Sequence, residues 1–351
     1  MMSGQEPLTI SVVIPTYNMA HVIGDTIKSV LNQSYGNFEI IVQDNDSQDN
    51  TATVIRSFAD PRIKYFKNSA NLGYAKNLIA GWKNCTGDIL YFLGADDVLS
   101  KNALKETSAA FMRDENIGAV TRSYFWFQGS TEHIRTPIRV TPILNEHQDE
   151  TIDIHNIQKA MYVMHNEILG QLSGLAFRIQ YLQESFFTRE NNWIAHGYPF
   201  LHIFKKHPVV FLKNHQVAVR IGENTIRQKG NTFYLISPTK RWIEMLDEIL
   251  YEDEFKELKT CFIKKIIASN YVGLVQIKSY AGMYFLLREI GYLLKYRISN
   301  ILSVRFWFFS LGSIVVPGFL LGRMADYYKN RINSKIMKEI HFEYDLSSKQ
   351  T

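Results

Sequence analysis

Continuous apolar runs alternate with helix-spaced apolar positions along the first third of the chain. The runs are short and rich in β-branched and aromatic residues, which is typical of strands buried on both faces. They are TISVVIP (9–15), FEIIVQ (38–43), RIKYF (62–66) and DILYFL (88–93). Between them, apolar residues recur every three or four positions, as from Ile23 to Leu31. Four strands separated by three helices predict an α/β, Rossmann-like domain with a mostly parallel sheet.

A polar cluster directly follows each predicted strand. The clusters are PTYN (15–18), QDNDSQDNT (43–51), NSANLG (68–73) and GADD (94–97). Ligands of parallel sheets bind beyond the carboxyl ends of the strands, and these ends meet at one edge. We therefore expect the four clusters to face a common crevice.

The rest of the chain has a different pattern. Residues 115–222 mix strand-like runs, such as 118–127, with a predicted helix around 156–168. From about residue 235 onward the pattern is helical. One segment there, FWFFSLGSIVVPGFLLG (306–322), carries no charged side chain.

Three interpretations of segment 306–322 are open. It falls short of the roughly 20 residues that span a bilayer as a helix, and a buried core helix is the second alternative. Basic residues flank it on both sides, whereas a spanning helix normally shows charge asymmetry. They are Lys295, Arg297 and Arg305 before it, and Arg323, Lys329, Arg331, Lys335 and Lys338 after it. Together with four consecutive aromatic residues, this symmetry favours a segment that dips into one leaflet.

Composition limits the class of protein. A hydrophobic fraction of 46% excludes a disordered chain, and a formal net charge of +5 is mildly favourable to an anionic partner. The two cysteines, Cys85 and Cys261, have no metal-like spacing, which predicts a reducing compartment. The first ten residues do not resemble a secretory signal.

Two adjacent aspartates, Asp96 and Asp97, end the fourth predicted strand. They fit a turn before a helix capped by Ser100, or a site for Mg²⁺ or Mn²⁺ shared with phosphate oxygens. The chain has neither GxGxxG after its first strand nor a P-loop, so a metal would have to neutralise bound phosphates. Asp44 suits a hydrogen bond from a nucleobase and Tyr17 suits packing on its ring, although both also fit ordinary turn and surface chemistry.

The segments SVVIPTYNMAHVIGDTIKSVLNQSYGNFEIIVQDNDSQDNT and NLGYAKNLIAGWKNCTGDILYFLGADD carry a family resemblance. Over roughly residues 8–113, the chain resembles the nucleotide-binding half of family 2 glycosyltransferases, which have the GT-A fold. FLGADD and AHGYPFLHIF (195–204) look like bacterial O-antigen transferases such as abequosyltransferases. One departure is visible, since many relatives have an acid where this chain has Gly94.

The resemblance implies roles for individual residues. The nucleobase would be held by Pro15, Thr16, Tyr17 and Asp44, and the diphosphate and sugar region would be lined by Asn71, Gly73, Lys76 and Asn77. Asp96 would contact the ribose or the metal, and Asp97 would be the metal ligand. The cofactor would be Mg²⁺ or Mn²⁺.

The general base is harder to assign. Relatives commonly supply a carboxylate where this chain has Ala195 and His196. His196 fits the role because imidazole titrates near neutral pH, with Glu190 and His202 as alternatives. A purely structural histidine is also compatible with the sequence.

These features predict a domain division and an activity. Residues 1–230 would form a GT-A domain, with a nucleotide-binding half (8–113) and an acceptor half (114–230), and residues 231–351 a helical, membrane-associating region. We expect an inverting glycosyltransferase that uses a nucleotide-sugar donor and a lipid-linked, polyprenyl-diphosphate glycan acceptor in bacterial surface polysaccharide synthesis. It would act at the cytoplasmic face of the inner membrane, without nucleic acid, and its oligomeric state is open.

Two rival hypotheses remain. The missing carboxylate near residue 195 fits a non-catalytic nucleotide-sugar-binding scaffold. A dinucleotide oxidoreductase on a related fold is disfavoured because the glycine fingerprint is absent.

Overall fold

The structure is a computed structural model that describes residues 6–135, 137, 139–140, 149–165, 169–188, 192–221, 234–321 and 340–347. Several residues considered above lie outside these ranges. They are Glu190, Gly322, Arg323, Lys329, Arg331, Lys335 and Lys338.

One sheet runs through the described part of the glycosyltransferase-like half. Its strands are β1 (Ile10–Thr16), β2 (Phe38–Asp44), β3 (Ile63–Lys67), β4 (Ile89–Phe92), β5 (Val98–Leu99), β6 (Ala119–Gln128), β7 (Arg139–Val140), β8 (Glu150–Ile152), β9 (Ala176–Arg178) and β10 (Val209–Ile221). The strand order is β3-β2-β1-β4-β9-β6-β10-β5, with β7 beside β6 and β8 beside β10.

The prediction of four parallel strands in the first third is confirmed. Strands β1 to β4 pair in parallel, and the three helices between them are α1 (Ile23–Leu31), α2 (Thr51–Arg56) and α3 (Tyr74–Lys83). The prediction of a mostly parallel sheet is wrong for the whole, because β9 pairs antiparallel with both β4 and β6.

The remaining helices follow the sheet strands or lie in the second half of the chain. They are α4 (Ala103–Phe111), α5 (Ile157–Val163), α6 (Gly197–Phe204), α7 (Pro238–Ile249), α8 (Lys256–Lys265), α9 (Val272–Tyr280), α10 (Met283–Tyr296) and α11 (Val304–Val315).

Helix α3 packs very closely on the sheet at Gly81. A Cβ built there would lie 2.5 Å from Val13 Cγ1 and 3.4 Å from Gln43 Cβ, so only glycine fits without movement. The close contact fixes the height of α3 above β1 and β2, and with it the position of the loop that leads into α3.

The chain forms two compact units. The first, which we call the sheet unit, comprises residues 1–156, 167–220 and 339–351, and the second, the helical unit, comprises 157–166 and 221–338. The predicted functional division at residue 230 stays a prediction.

The helical unit has its own apolar core. Its buried members are Tyr234, Tyr271, Leu274, Ile277, Leu286, Leu293 and Phe306. Asn300 lies fully buried beside it and is satisfied by three hydrogen bonds, two donated to the carbonyl oxygens of Ala268 and Leu293 and one accepted from the Tyr271 hydroxyl. A buried amide with all its partners fixes one arrangement of these helices.

Two expectations about the second half need correction or limitation. Residues 340–347 form no helix and belong to the sheet unit, so the chain is not helical throughout from residue 235 onward. Among the described helices, none combines the length and the apolar character needed to cross a bilayer.

Gly81→Ala should destabilise the protein by about 1–3 kcal/mol, because the new methyl group overlaps the Val13 side chain in a packed core. Gly291→Ala is the matched control within helix α10, where an added Cβ meets nothing within 4 Å. That variant should gain about 0.5–1 kcal/mol from the better helix propensity of alanine. Urea unfolding measures the free energy of unfolding of both variants. A Gly81→Ala variant that is stabilised as much as Gly291→Ala would contradict the close packing.

Candidate functional site

The carboxyl ends of β1 to β4 lie along one edge of the sheet. Thr16 at the end of β1 is paired with Asp44 at the end of β2, and Asp44 with Lys67 at the end of β3. Strand β4 runs parallel to β1 on its other side and leads into residues 94–97. The prediction that the four polar clusters share one edge is therefore confirmed.

Hydrogen bonds connect the loops that follow β1 and β2. The backbone N–H of Asn18 donates to Ser47 Oγ at 2.8 Å, and the N–H of Gln48 donates to Asn18 Oδ1 at 2.8 Å. Asn18 has φ of 55°, a left-handed conformation that asparagine tolerates better than most residues. These bonds define the shape of the edge without a ligand.

Asp44 is fully buried, and both of its carboxylate oxygens have protein partners. Oδ1 accepts the backbone N–H of Ser47 at 2.8 Å, and Oδ2 accepts the Tyr65 hydroxyl at 2.6 Å. Burial, and then the bond to Asp44, raise the pKa of Tyr65, so this hydroxyl stays a donor. A nucleobase N–H at Asp44 would have to use a second lone pair of an oxygen that is already bound.

A network of asparagines organises the entrance to α3. Asn45 Nδ2 donates to Asn71 Oδ1 at 2.9 Å, while Asn68 Nδ2 donates to Asn45 Oδ1 at 3.0 Å and to Asn77 Oδ1 at 2.8 Å. Gly73, with φ of 81°, donates its N–H to Asn71 Oδ1 at 2.9 Å directly before the helix. The predicted residues Asn71, Gly73 and Asn77 thus come together in one hydrogen-bonded network.

The predicted nucleobase and diphosphate residues differ in exposure. Tyr17 is 37% exposed and Lys76 is exposed, whereas Pro15 is partly buried. Thr16 is buried, and its hydroxyl donates to the Ile14 carbonyl at 3.2 Å. Asn71 is also exposed, so Tyr17, Asn71 and Lys76 are the members of this group that are most accessible to a ligand.

Asp97 is buried, 1% exposed, with protein partners on both carboxylate oxygens. Oδ1 accepts the backbone N–H of Arg220 at 2.9 Å, and Oδ2 accepts the hydroxyl of Ser173 and Nε2 of Gln171, the latter at 3.2 Å. Burial raises the pKa of Asp97 well above its usual range, and the charge of Asp96 raises it further. Asp97 was predicted to be the metal ligand. In the structure, its carboxylate oxygens are instead bonded to protein groups, and these bonds hold the turn together.

Asp96 presents the more accessible carboxylate of the pair. As a residue Asp96 is partly buried, whereas Asp97 is buried, and among the described residues no other residue donates a hydrogen bond to the Asp96 carboxylate oxygens. Burial raises the pKa of Asp96, while the charges of Arg220 and His21 lower it. A cation beside this carboxylate would therefore favour its ionised form.

The residues fit a metal ion that is shared with a ligand, rather than one enclosed by protein. Within the described ranges, no three His, Cys, Asp or Glu side chains converge as a ready-made metal cluster. Asp96 offers the hard oxygen donors that Mg²⁺ and Mn²⁺ prefer, and such ions commonly complete their shell with phosphate oxygens and water.

Arg220, near the end of β10, holds residues 94–97, which we call the acidic turn, through several hydrogen bonds. Besides its N–H bond to Asp97, its Nε donates to the Asp96 carbonyl oxygen at 2.9 Å, and its Nη2 lies 3.0 Å from Asp25 Oδ2 in α1. Its Nη1 donates to the Gly129 carbonyl oxygen, and its guanidinium lies over the Phe127 ring. One buried cation thus ties the turn to α1 and β6.

Gly94 explains how the turn works without the acid found there in many relatives. Its N–H donates to Ser173 Oγ at 2.7 Å, and Ser173 in turn donates to Asp97. A Cβ at Gly94 would lie 2.8 Å from Asp97 Oδ2 and 3.1 Å from Ser173 Oγ. Any larger residue at position 94 would disturb this chain of hydrogen bonds.

His196 occupies a structural position. It is 2% exposed, its Nε2 donates to the Leu169 carbonyl at 3.1 Å, and its Nδ1 accepts the Tyr74 hydroxyl at 2.9 Å. Burial lowers the pKa of His196 to about 4, so the ring is neutral at pH 7. With both nitrogens bound to protein, the ring has no lone pair left for a substrate proton, and the geometry does not favour the predicted role as general base.

The alternatives to His196 have different standing. His202 on α6 stacks on Phe186 with ring centroids 4.6 Å apart, and burial lowers its pKa to about 4. Glu190 lies outside the described residues. The acceptor-activating group therefore stays unassigned.

Sequence reasoning missed the three partners of Asp97, namely Gln171, Ser173 and Arg220. None belongs to a short motif, and they lie 74, 76 and 123 positions away along the chain. The one available signal was Arg220 itself, a cation at the end of the apolar run VAV (217–219). A charge at the end of a buried strand indicates a buried partner.

Comparison with known proteins identifies one family model that matches part of the chain. Residues 11–172 match the model described as glycosyl transferase family 2. The match includes β1 to β6, the acidic turn and Gln171.

Curated relatives are similar over about a third of this chain. WfgD of Escherichia coli, a UDP-Glc:α-D-GlcNAc-diphosphoundecaprenol β-1,3-glucosyltransferase, is 36% identical over 115 residues, or 33% of this chain and 45% of WfgD. A GalNAc(5)-diNAcBac-PP-undecaprenol β-1,3-glucosyltransferase of Campylobacter jejuni is 38% identical over 98 residues, or 27% of this chain and 32% of that enzyme. The chain thus spans less than half the length of these relatives.

Solved structures agree over nearly the whole chain. S. aureus TarS 1–349 aligns with a TM-score of 0.60 at 15% identity, covering 95% of this chain and 90% of TarS 1–349. The mannosyltransferase PcManGT from Pyrobaculum calidifontis, in complex with GDP-Man and Mn²⁺, aligns with a TM-score of 0.54 at 14% identity, covering 94% of this chain and 88% of PcManGT. At such identities the likeness establishes the fold. Residues 11–172 are therefore similar to the glycosyl transferase family 2 domain, and the chain has an α/β fold of the GT-A type.

Proposed function

We propose that this protein transfers a sugar, with inversion, from a nucleotide-sugar donor to a polyprenyl-diphosphate-linked glycan in bacterial surface polysaccharide synthesis. The observation that carries the proposal is the acidic turn: a partly exposed Asp96 lies beside a fully bonded Asp97 at the carboxyl edge of the parallel strands. The names of WfgD and of the Campylobacter enzyme support the lipid-linked acceptor. TarS has been solved in complex with UDP-GlcNAc, which supports a nucleotide-sugar donor.

The donor would lie along the edge formed by β1 to β4. Tyr17 offers an exposed ring for the nucleobase, with Pro15 and Thr16 shaping the backbone beneath it. Lys76, exposed in the first turn of α3, offers a positive charge for the diphosphate. In this proposal Asp44, Asn71, Gly73 and Asn77 act mainly by holding these loops in place.

Asp96, rather than Asp97, is the proposed metal-holding residue. A divalent cation bound there would stabilise the negative charge that develops on the leaving diphosphate. Asp97 keeps the turn rigid through its bonds to Arg220, Ser173 and Gln171, so that the Asp96 oxygens are held in one place. PcManGT has been solved in complex with GDP-Man and Mn²⁺, which supports a divalent metal in the proposed reaction.

A membrane surface is the proposed partner of the helical unit. The exposed face of helix α11 is apolar, and its buried face carries serines, which is the reverse of the usual arrangement in a soluble protein. Val304, Phe308 and Val315 are 86%, 73% and 77% exposed, whereas Ser310 and Ser313 are each 1% exposed. Large apolar side chains on the outer face are unfavourable in water and favourable in a lipid interface.

The length of α11 and the charge near it favour binding in the plane of the membrane. Its 12 residues span about 18 Å, which is too short for a hydrocarbon core of about 30 Å. Arg305 on the same helix and Lys295 at the end of α10 are exposed and would meet anionic headgroups. The protein would then act at the cytoplasmic face of the inner membrane, where a lipid-linked acceptor is held.

Asp96→Asn should lower the rate of sugar transfer about 100-fold or more, because one carboxylate of a charge-stabilising site is lost. The assay measures transfer from a panel of nucleotide sugars to a polyprenyl-diphosphate glycan, with Mn²⁺ and with EDTA. Asp114→Asn, a change at an exposed turn after α4, is the matched control and should keep its rate. Full activity of the Asp96 variant, or of the wild type in EDTA, would exclude this role. A purely structural scaffold would show no transfer with any donor.

His196→Gln should keep the transfer rate at pH 7.5 within several-fold and should instead change the pH dependence of stability. The pKa of His196 is lowered in the folded protein to about 4, so the unfolded chain takes up the proton first as the pH falls. This histidine therefore stabilises fully above about pH 6.5, and up to about 3 kcal/mol is lost between pH 6.5 and 4. Urea unfolding across that range should show a shallower loss in the variant, with His341→Gln, an exposed position, as control. A loss of kcat of about 100-fold at unchanged stability would restore His196 as the base.

Phe308→Asp should weaken binding to vesicles of phosphatidylcholine and phosphatidylglycerol (3:1) about tenfold or more, because a buried aromatic contact with lipid is replaced by a charge. Vesicle co-sedimentation measures the binding. Met112→Asp, which changes an exposed apolar residue at the end of α4, is the control and should bind as the wild type does. Equal binding by all three proteins would contradict the lipid surface.

A further inference from the structure

Residues 340–347, which we call the C-terminal strap, form no helix and pack on the sheet unit. Their sequence, IHFEYDL followed by Ser347, alternates apolar and polar residues with the period of a strand. The inward side chains are Ile340, Phe342, Tyr344 and Leu346, while His341 and Glu343 are exposed. One face of the strap is thus buried and the other faces solvent.

The inward side chains complete an apolar cluster of the sheet unit. Its buried members are Val98, Phe125, Phe127, Ile134 and Ala218. The rings of Phe342 and Phe125 meet edge to face, with centroids 5.0 Å apart and planes at 90°. Edge-to-face contact is a favoured arrangement of aromatic pairs, so Phe342 packs on the cluster in a defined orientation.

Polar contacts fix the register of the strap. The backbone N–H of Lys101 donates to the Glu343 carbonyl at 2.7 Å. Asn32, at the end of α1, donates from Nδ2 to the carbonyl oxygens of Asp345 and Ser347 at 3.0 and 2.9 Å. Hydrogen bonds at two points along the strap exclude a shift by one residue, which would turn its apolar face outward.

The cluster under the strap is next to the acidic turn, both along the chain and through strand pairing. Val98 is the next residue after Asp97, and it pairs with Ala218 in the short ladder between β5 and β10. Two residues beyond Ala218 is Arg220, whose backbone N–H donates to Asp97. The strap therefore packs on β5, which directly follows the turn, and on β10, which carries Arg220.

We propose that the C-terminal strap is a positioning element of the active site, and that Phe342 acts through Val98 and Ala218 on the placement of Asp96. The inference rests on the proposed function of Asp96 as the residue that holds the metal and the donor diphosphate. When a support that holds a reacting group in place is lost, the rate falls by several factors of ten. The chain leaves the sheet unit after Arg220 and returns to it in the strap, so residues 221–338 are enclosed in sequence between two supports of the same turn.

The test compares Phe342→Ala with His341→Ala, its outward-facing neighbour, in the full chain. Amide hydrogen exchange should be about tenfold faster or more in Phe342→Ala at residues 97–99 and 217–220, and unchanged in strand β2. The Mn²⁺ concentration for half-maximal transfer should rise several-fold, measured well below the melting temperature. His341→Ala should match the wild type in both measurements, and Phe342→Leu should recover most of both effects.

Two results would overturn the proposal. One is wild-type exchange and wild-type metal dependence in Phe342→Ala, and the other is exchange that accelerates equally in β2, which would make the strap a general stabiliser. If Phe342→Ala does not fold, Asn32→Ala removes the two hydrogen bonds to the strap without touching the cluster and is expected to give the same local pattern. Failure of the proposed function appears separately, as absence of transfer by the wild type, while the exchange data still report whether the strap supports the turn.

Discussion

The buried carboxylate of Asp97 is the group on which the geometry of the site depends. A buried carboxylate is tolerable only when hydrogen bonds replace its hydration. Asp97 obtains its bonds from Arg220, Ser173 and Gln171, in segments far apart in the sequence. The neighbouring Asp96 is the less buried residue, and among the described residues no other residue donates a hydrogen bond to its carboxylate. Two identical adjacent residues thus have different environments.

The nucleotide-binding half could be predicted from sequence because its signals are local. Continuous apolar runs, helix spacing and polar clusters at strand ends each involve a few consecutive residues, and the structure confirms β1 to β4 with their shared edge. Placing the side chains was harder. Asp44 was predicted as a ligand contact, yet its oxygens bind Ser47 and Tyr65, since a carboxylate at a strand end is also a good partner for loop amides and hydroxyls.

The second half could not be predicted to the same extent because its contacts join distant segments. The antiparallel pairing of β9 between β4 and β6 has no local signature, and nothing near His196 in the sequence indicates its bond to Tyr74. The strap did carry a local signal, its alternation of apolar and polar residues, but it follows a long helical region and resembles a tail. The apolar face of α11 was visible in the sequence, whereas its exposure required the structure.

Asp96 and Asp97 can be distinguished most directly by crystals grown with Mn²⁺ and a nucleoside diphosphate, with anomalous diffraction measured at the manganese edge. We expect an anomalous peak bonded to a carboxylate oxygen of Asp96 and to the diphosphate, with Asp97 still bound to Arg220 and Ser173. A peak bonded to Asp97, with those hydrogen bonds broken, would contradict it, as would a bound diphosphate with no metal at Asp96.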